Sequence, residues 1–319
     1  MDHVRGAVIR TLAFQAAWGY APTRLQLAIF LDMGSIGVET QNFASNSINT
    51  SAAMYELDRL IAEGIVCESR GHIVLKSFVE QIDRGREKEF YFPRKLRHAR
   101  RVVSYLSRLP WVRAVCLCNT TALGQARDEG DLDFFIIAKA GSIWRTRFFA
   151  TLPFKLLGTR PSRLTTDDRR QTTDPICLSF FVTDDALNLS NSMLSEDDPY
   201  FRYWFLSLLP LTDDGVLKEL WEQNLKIRQR HPLAKKWMAL DGDDLPKSKG
   251  KYKPIVESWL EKKLKILQQR QFPAVIKEAA NQGTRVVVSD QMLKFHVEDR
   301  RSEYRQKYYE ICKQFGVNP

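Results

Sequence analysis

Asp131 and Asp133 stand one residue apart at the start of an apolar run, Phe134–Ile137. On a strand, residues i and i+2 project from the same face, which forces the two carboxylates together. A cation between them relieves their repulsion. Hard carboxylate oxygens at the mouth of a strand suit a divalent ion. Leu132 points the other way, into a core. Upstream, Val112–Leu117 is a second apolar, β-branched run that ends at Asn119-Thr120. A helix opened there would turn free backbone N–H groups and its positive dipole end toward phosphate oxygens. The Thr120 hydroxyl would cap that helix or bond a phosphate.

The segment from Val112 to Ala138 therefore reads strand, tight turn with a short helix, strand. Its continuous apolar runs predict strands covered on both faces. Ile176–Val182 predicts a third buried strand. A helix over Ile143–Leu157, capped at Gly141-Ser142 and kinked or ended near Pro153, would link the second strand to the third. This order predicts a mixed sheet with helices packed on it. An amphipathic helix is expected over Arg94–Leu109, with Leu96, Val103 and Leu106 inward, and Arg84–Lys88 is expected to be loop. His98 reads as a surface residue.

The N-terminal residues predict helices over 3–18, Arg24–Leu31 (capped by Thr23) and Ser47–Gly64. A hairpin of Ile65–Glu68 and His72–Leu75 turns at Arg70-Gly71. Three helices and a hairpin make a winged helix-turn-helix. Its third helix is expected to expose Glu56, Asp58 and Glu63 against one Arg59, the wrong balance for a phosphate-lined groove. A docking or structural role is preferred, and DNA is an unlikely partner. Residues 184–240 are expected to be helical, Asp241–Lys253 a linker, and Pro254–Ala280 a basic helix. A last strand over Arg285–Ser289 is followed by a charged helix to the end. The fold class is α+β. Its parts are a winged helix-turn-helix over 1–80, a central mixed-sheet domain over 81–190, and a mainly helical basic region over 191–319.

The chain has 319 residues, 44% of them hydrophobic, and a mean hydropathy of −0.33. These values describe an ordinary soluble protein with enough apolar residues for more than one core. The opening residues do not read as a signal peptide. Phe148–Leu157 and Tyr203–Leu211 are far shorter than a membrane span of ~20 residues, so no membrane partner is expected. Five cysteines without a CxxC pair read as small buried hydrophobes in a reducing compartment, and the cytoplasm is expected. The net charge is +10. Residues 1–215 carry 26 basic and 25 acidic side chains, and residues 216–319 carry 22 and 13. The excess fits a polyanion, nucleotide or nucleic acid, or equally a solvated lysine-rich helix surface.

From Asn119 the spacing reads Asn-Thr-x-Ala-x-Gly-x-Ala-Arg-x-x-Gly-Asp-x-Asp. It resembles the signature of the DNA polymerase β-like nucleotidyltransferase superfamily, where Gly-Ser precedes Ala and Gly at fixed offsets and then Ser-Asp-x-Asp. Thr120, Ala122, Gly124, Ala126-Arg127, Asp131 and Asp133 match without a gap. The winged helix, the Cys177–Phe181 strand and the tail Val288–Arg301 are similar to a group of bacterial nucleotidyltransferases, which extends the resemblance over most of the chain. It implies Mg²⁺ (or Mn²⁺) at Asp131 and Asp133, which also carry the chemistry. It places an NTP substrate at Asn119, Thr120, Gly124 and Arg127, with Lys139, Arg145 and Arg147 as further phosphate-neutralising residues. The acceptor would be a hydroxyl of an RNA end, a small molecule or a protein. On a C-terminal helix, Lys294, His296 and Arg300 would line the nucleotide cleft, or else form a charged surface helix end.

Two departures stand out. The family glycine is Asn119, and Ser179 occupies the neighbouring-strand position of a third carboxylate. Asp174, Asp184 and Asp185 flank that strand. The reading is thus a nucleotidyltransferase. Its alternatives are a catalytically degenerate nucleotide- or RNA-binding protein of the same fold, or a winged-helix DNA-binding regulator.

Overall fold

A computed structural model describes residues 3–34, 50–160, 174–234 and 259–319. The start of the helix expected from Ser47 and the linker expected at Asp241–Lys253 fall outside them. The architecture is mixed α+β, with a six-stranded mixed sheet and a separate two-stranded one.

The N-terminal helices are α1 (His3–Trp18), α2 (Arg24–Ile29) and α3 (Thr50–Ala62). Thr23 caps α2 in a reciprocal box with Gln26, as the sequence predicts. Gly64, at φ +71°, stands beyond the end of α3. Strands β1 (Val66–Ser69) and β2 (His72–Leu75) pair antiparallel. Arg70 and Gly71 both take positive φ, the signature of a tight hairpin turn. Glu56 departs from expectation. It is buried and bonded to Arg5 at 2.9 Å and Arg59 at 3.1 Å, because α1 crosses that face of α3.

Arg84–Lys88 is not loop. It lies in α4 (Glu80–Glu89), which buries Ile82 against Ala21 and Val74. So little of α4 is apolar that its sequence carries no periodic signal. Next come α5 (Phe92–Leu106) and β3 (Val112–Leu117), then a four-residue helix, α6 (Asn119–Ala122). They lead into β4 (Leu132–Ala138), α7 (Ile143–Leu156) and β5 (Ile176–Thr183). Strand β4 is antiparallel to β3 and parallel to β5, with α7 as the crossover.

Residues 184–240 are not helical throughout. After α8 (Pro199–Leu206) the chain forms β6 (Leu209–Asp213), antiparallel to β3 at the sheet edge. An edge tolerates Pro210, which a central strand would not. Helices α9 (Val216–Gln223) and α10 (Leu225–Arg228) follow. The expected basic helix over Pro254–Ala280 is, in its described part, two helices, α11 (Trp259–Arg270) and α12 (Ala274–Ala279), broken at Pro273. The tail is also corrected. After β7 (Val286–Val288) comes a further strand, β8 (Met292–Phe295), and only then α13 (Arg301–Gln314). A turn in which Ser289 Oγ accepts from the Met292 and Gln291 N–H groups closes this hairpin. The sheet order is β6-β3-β4-β5-β8-β7.

Apolar clusters cover both faces of the sheet. One unites Phe135 and Phe180 with α1, α8 and Tyr308 of α13. The other packs Phe134, Ile136 and Phe181 under α5, α7 and α11. No helix among the described residues is long and apolar enough to cross a membrane.

Candidate active site

Asp131 and Asp133 line one cavity of about 260 Å³, above the sheet face that carries Cys177 and Ser179. Leu132, the first residue of β4, is fully buried in the opposite core, so Asp131 just before the strand and Asp133 within it fall on the cavity side together. The Asp133 carbonyl accepts from the Cys118 N–H at 3.0 Å, and Asp133 pairs with Cys177 on β5. Burial pushes the Asp133 carboxyl up to about 6, helped by the charge of Asp131; hydrogen bonds from Asn119 and Cys177 and the charge of Arg127 pull the other way.

Asn119 adopts φ +60°, a left-handed conformation that asparagine tolerates better than most residues. Its side chain bonds Asp133, and its Oδ1 accepts from the Tyr200 hydroxyl at 3.4 Å. Thr120, Gly124 and Arg127 do not line the cavity. Thr120 belongs to α6, whose start has no side-chain cap, so the expected Thr120 cap is not formed. Gly124 takes φ +77° with open space at its missing Cβ, so it serves a turn rather than a close approach. Arg127 is exposed and reaches Asp133 only through its charge.

Arg145 and Arg147 lie on α7, across the sheet from the cavity. Arg145 pairs with Glu261 at 3.1 Å, and Arg147 bonds Gln268 at 2.6 Å. Lys139 does not line the cavity either. Arg145 and Arg147 stand apart from the carboxylates because α7 packs on the far face, and Lys139 because it follows the opposite end of β4 from Asp133.

The tail does reach the cavity, but not on one helix face. Lys294 and Phe295 end β8, His296 follows the strand, and Arg300 stands at the start of α13 without a side-chain cap bond. Lys294 is buried, with its Nζ donating to the Thr284 carbonyl at 2.8 Å between the rings of Phe180 and Phe201. Burial pushes it down to about 7, and the charge of Arg301 adds to the shift. Arg300 is exposed, pairs with Glu303 at 2.6 Å and lies over Tyr304. His296 Nε2 stands 3.3 Å from Ser179 Oγ.

Sequence reasoning missed Tyr200, Trp204 and Tyr304, which line the cavity together with Arg301 of the tail segment. Tyr200 and Trp204 sit in α8, whose aromatic spacing signals only a core, and Tyr304 sits in α13, which reads as a charged helix. Arg301 binds Asp299 at 2.6 Å and Asp198 at 2.9 Å, which joins the tail to the start of α8.

Asp174 serves a different purpose from a third carboxylate. Fully buried Lys95 donates to Asp174 Oδ1 at 2.6 Å and to the Gly130 carbonyl at 2.5 Å. Arg94 binds both Asp174 and Asp128, and His98 Nδ1 is 3.7 Å from Asp174. Burial alone would raise the Asp174 carboxyl; hydrogen bonds from Lys95 and Arg94 outweigh it and hold the group below its ordinary value. This clamp ties α5 to the chain just before Asp131 and just before β5. Lys95→Met removes one partner of a buried pair and is expected to cost about 3 kcal/mol. Urea unfolding at pH 7 measures it, and a change below ~1 kcal/mol would contradict the clamp.

The donor set fits a hard divalent ion. Mg²⁺ is commonly held by one or two carboxylates, with waters and substrate phosphates completing its shell. Two such carboxylates line this cavity, and burial, with the like charge of Asp131 adding to it, raises Asp133, a cost that a cation offsets. Among the described residues no group of three or more His, Cys, Asp or Glu side chains is placed to hold a metal. No family model, curated protein or solved structure matches the chain.

Proposed function

We propose that this protein binds a nucleoside triphosphate with Mg²⁺ (or Mn²⁺) at Asp131 and Asp133 and transfers its nucleoside monophosphate to a hydroxyl acceptor. The observation that carries this reading is the cavity itself. Both carboxylates of the Asn119–Asp133 segment line it, together with cationic Lys294, Arg300 and Arg301. The bound ion would neutralise charge on the phosphate oxygens and the leaving pyrophosphate. Asp131 and Asp133 would hold that ion, Asn119 would fix the orientation of Asp133, and Lys294 and Arg300 would meet the triphosphate from the tail segment, where Glu298 and Asp299 also line the cavity. We infer that the α1–α3 and β1–β2 unit is a winged helix-turn-helix used for docking, since Glu56 is spent within the unit and Asp58 and Glu63 are paired to Arg24 and Arg5. The proposed compartment is the cytoplasm, where NTP is abundant and cysteines stay reduced.

A second reading, a nucleotide- or RNA-binding protein without turnover, draws on Ser179 at the third-carboxylate position. One experiment separates them. The protein is incubated with each NTP and Mg²⁺ while melting and pyrophosphate release are followed. Stabilisation with release supports transfer, and stabilisation alone supports the binding protein. A melting temperature that no NTP moves, with or without Mg²⁺, sinks both.

A further inference from the structure

We propose that His296 is the general base of this site, in the role the third carboxylate would fill, with Ser179 as its positioning residue. The inference rests on the nucleotidyl-transfer reading above. Strand β5 pairs Cys177 with Asp133 and Phe180 with Phe135, so Leu178 and Ser179 together face the single residue Phe134. This is a β-bulge, a feature that re-aims side chains beside active sites. Leu178 stays in the far core, while Ser179 and Phe180 both turn to the cavity side. Alternation from Cys177 turns Ser179 to the cavity, the bulge adds Phe180 beside it, and Ser179 Oγ stands 3.3 Å from His296 Nε2. The His296 backbone is fixed by its N–H donating to Arg285 O at 3.0 Å, and its ring stands edge-on to Phe180 at 5.9 Å.

A serine hydroxyl is a poor proton acceptor at neutral pH, whereas a neutral imidazole is a good one. Asp299 is committed to Arg301 by bonds of 2.6 and 2.9 Å. His296 lines the same cavity as Asp131 and Asp133, and its imidazole, held against Ser179, is the group assigned to take the proton. In the step, the acceptor oxygen bonds to the α-phosphorus of the NTP and its proton passes to the imidazole. The bond from that phosphorus to the bridging oxygen breaks, and pyrophosphate leaves with the electron pair. The imidazolium then gives its proton to water.

The test uses the full chain, ATP and Mg²⁺, with water as the simplest acceptor. Pyrophosphate release by His296→Ala is expected to fall about 100-fold in kcat, with the ATP-dependent melting shift kept. Added imidazole is expected to restore part of the release. Ser179→Ala is expected to lower kcat less, about 5-fold, on the scale of one lost neutral hydrogen bond. Independently of turnover, ATP with Mg²⁺ is expected to slow carbethoxylation of His296 by diethyl pyrocarbonate, read by peptide mass. Unchanged release by His296→Ala, loss without imidazole rescue, unslowed carbethoxylation, or no release from the unsubstituted protein each overturns the assignment. The melting shift judges the nucleotide site separately: if it persists in those cases, that reading stands while this one fails.

Discussion

Asp131→Asn with Asp133→Asn is expected to abolish Mg²⁺-dependent pyrophosphate release, by at least about 10³-fold, while leaving the chain folded. Each carboxylate supplies negative oxygen to the ion, and without both the charge on the leaving pyrophosphate is unopposed. The folded state does not need the pair. Asp133 has its carboxyl raised to about 6 from an ordinary 3.8, so the folded chain binds a proton more readily than the unfolded one. Its contribution to stability therefore falls as pH rises from about 4 to about 6, and above that range the full cost of a buried charge remains. At ~1.4 kcal/mol per pKa unit this cost is at most about 3 kcal/mol. Asparagine carries no charge, so Asp133→Asn is expected to melt higher than the parent at pH 8 without metal, and to gain nothing from Mg²⁺. Steady-state kinetics and melting curves with and without Mg²⁺ check both halves. Retained turnover in the double variant would dismiss the metal site. A lower melting point at pH 8 would show instead that Asp133 is a structural ligand.

Lys294→Met is expected to raise the stability of the ligand-free protein and to weaken triphosphate binding. Lys294 is buried among Phe180, Phe201 and Thr284, and among the described residues it forms no ion pair. Its ammonium is pushed down to about 7 from an ordinary 10.5. Between those values the unfolded chain holds a proton that the folded one lacks, so this group makes stability rise with pH from about 7 to about 10.5. Below 7 both states are protonated, and the cost is complete. Methionine has similar length and no charge. It gives up the Thr284 hydrogen bond but removes the buried ammonium, for an expected gain of about 2 kcal/mol at pH 7. The pH slope between 7 and 10 should flatten at the same time. ATP–Mg²⁺ affinity should drop about tenfold, equivalent to ~1.4 kcal/mol. Urea titrations at pH 7 and 9.5, with calorimetric binding, measure these changes. A destabilised Lys294→Met chain with intact binding would mark Lys294 as a core residue only.

Local chemistry made some of this legible before any fold was known. The i, i+2 rule put Asp131 and Asp133 on one face. Thr23 was legible as a cap and Arg70-Gly71 as a hairpin turn. Each is decided within a few residues of backbone, where steric and hydrogen-bond preferences suffice. Helix α4 was illegible because its apolar contact is nearly a single side chain. Strands β6 and β8 were missed because short strands owe their existence to a distant partner, β3 for one and β5 for the other.

By itself the sequence determined the paired carboxylates, the turn that precedes them and the strand that carries them. Only the tertiary structure decided what meets them. It removed Arg145 and Arg147 to the far side of the sheet and assigned Asp174 to Lys95. It also brought His296 to Ser179 across more than a hundred residues of chain. Such encounters depend on strand order, a bulge and a crossover helix. Those are set by how two apolar faces of one sheet are covered, and no local spacing encodes that.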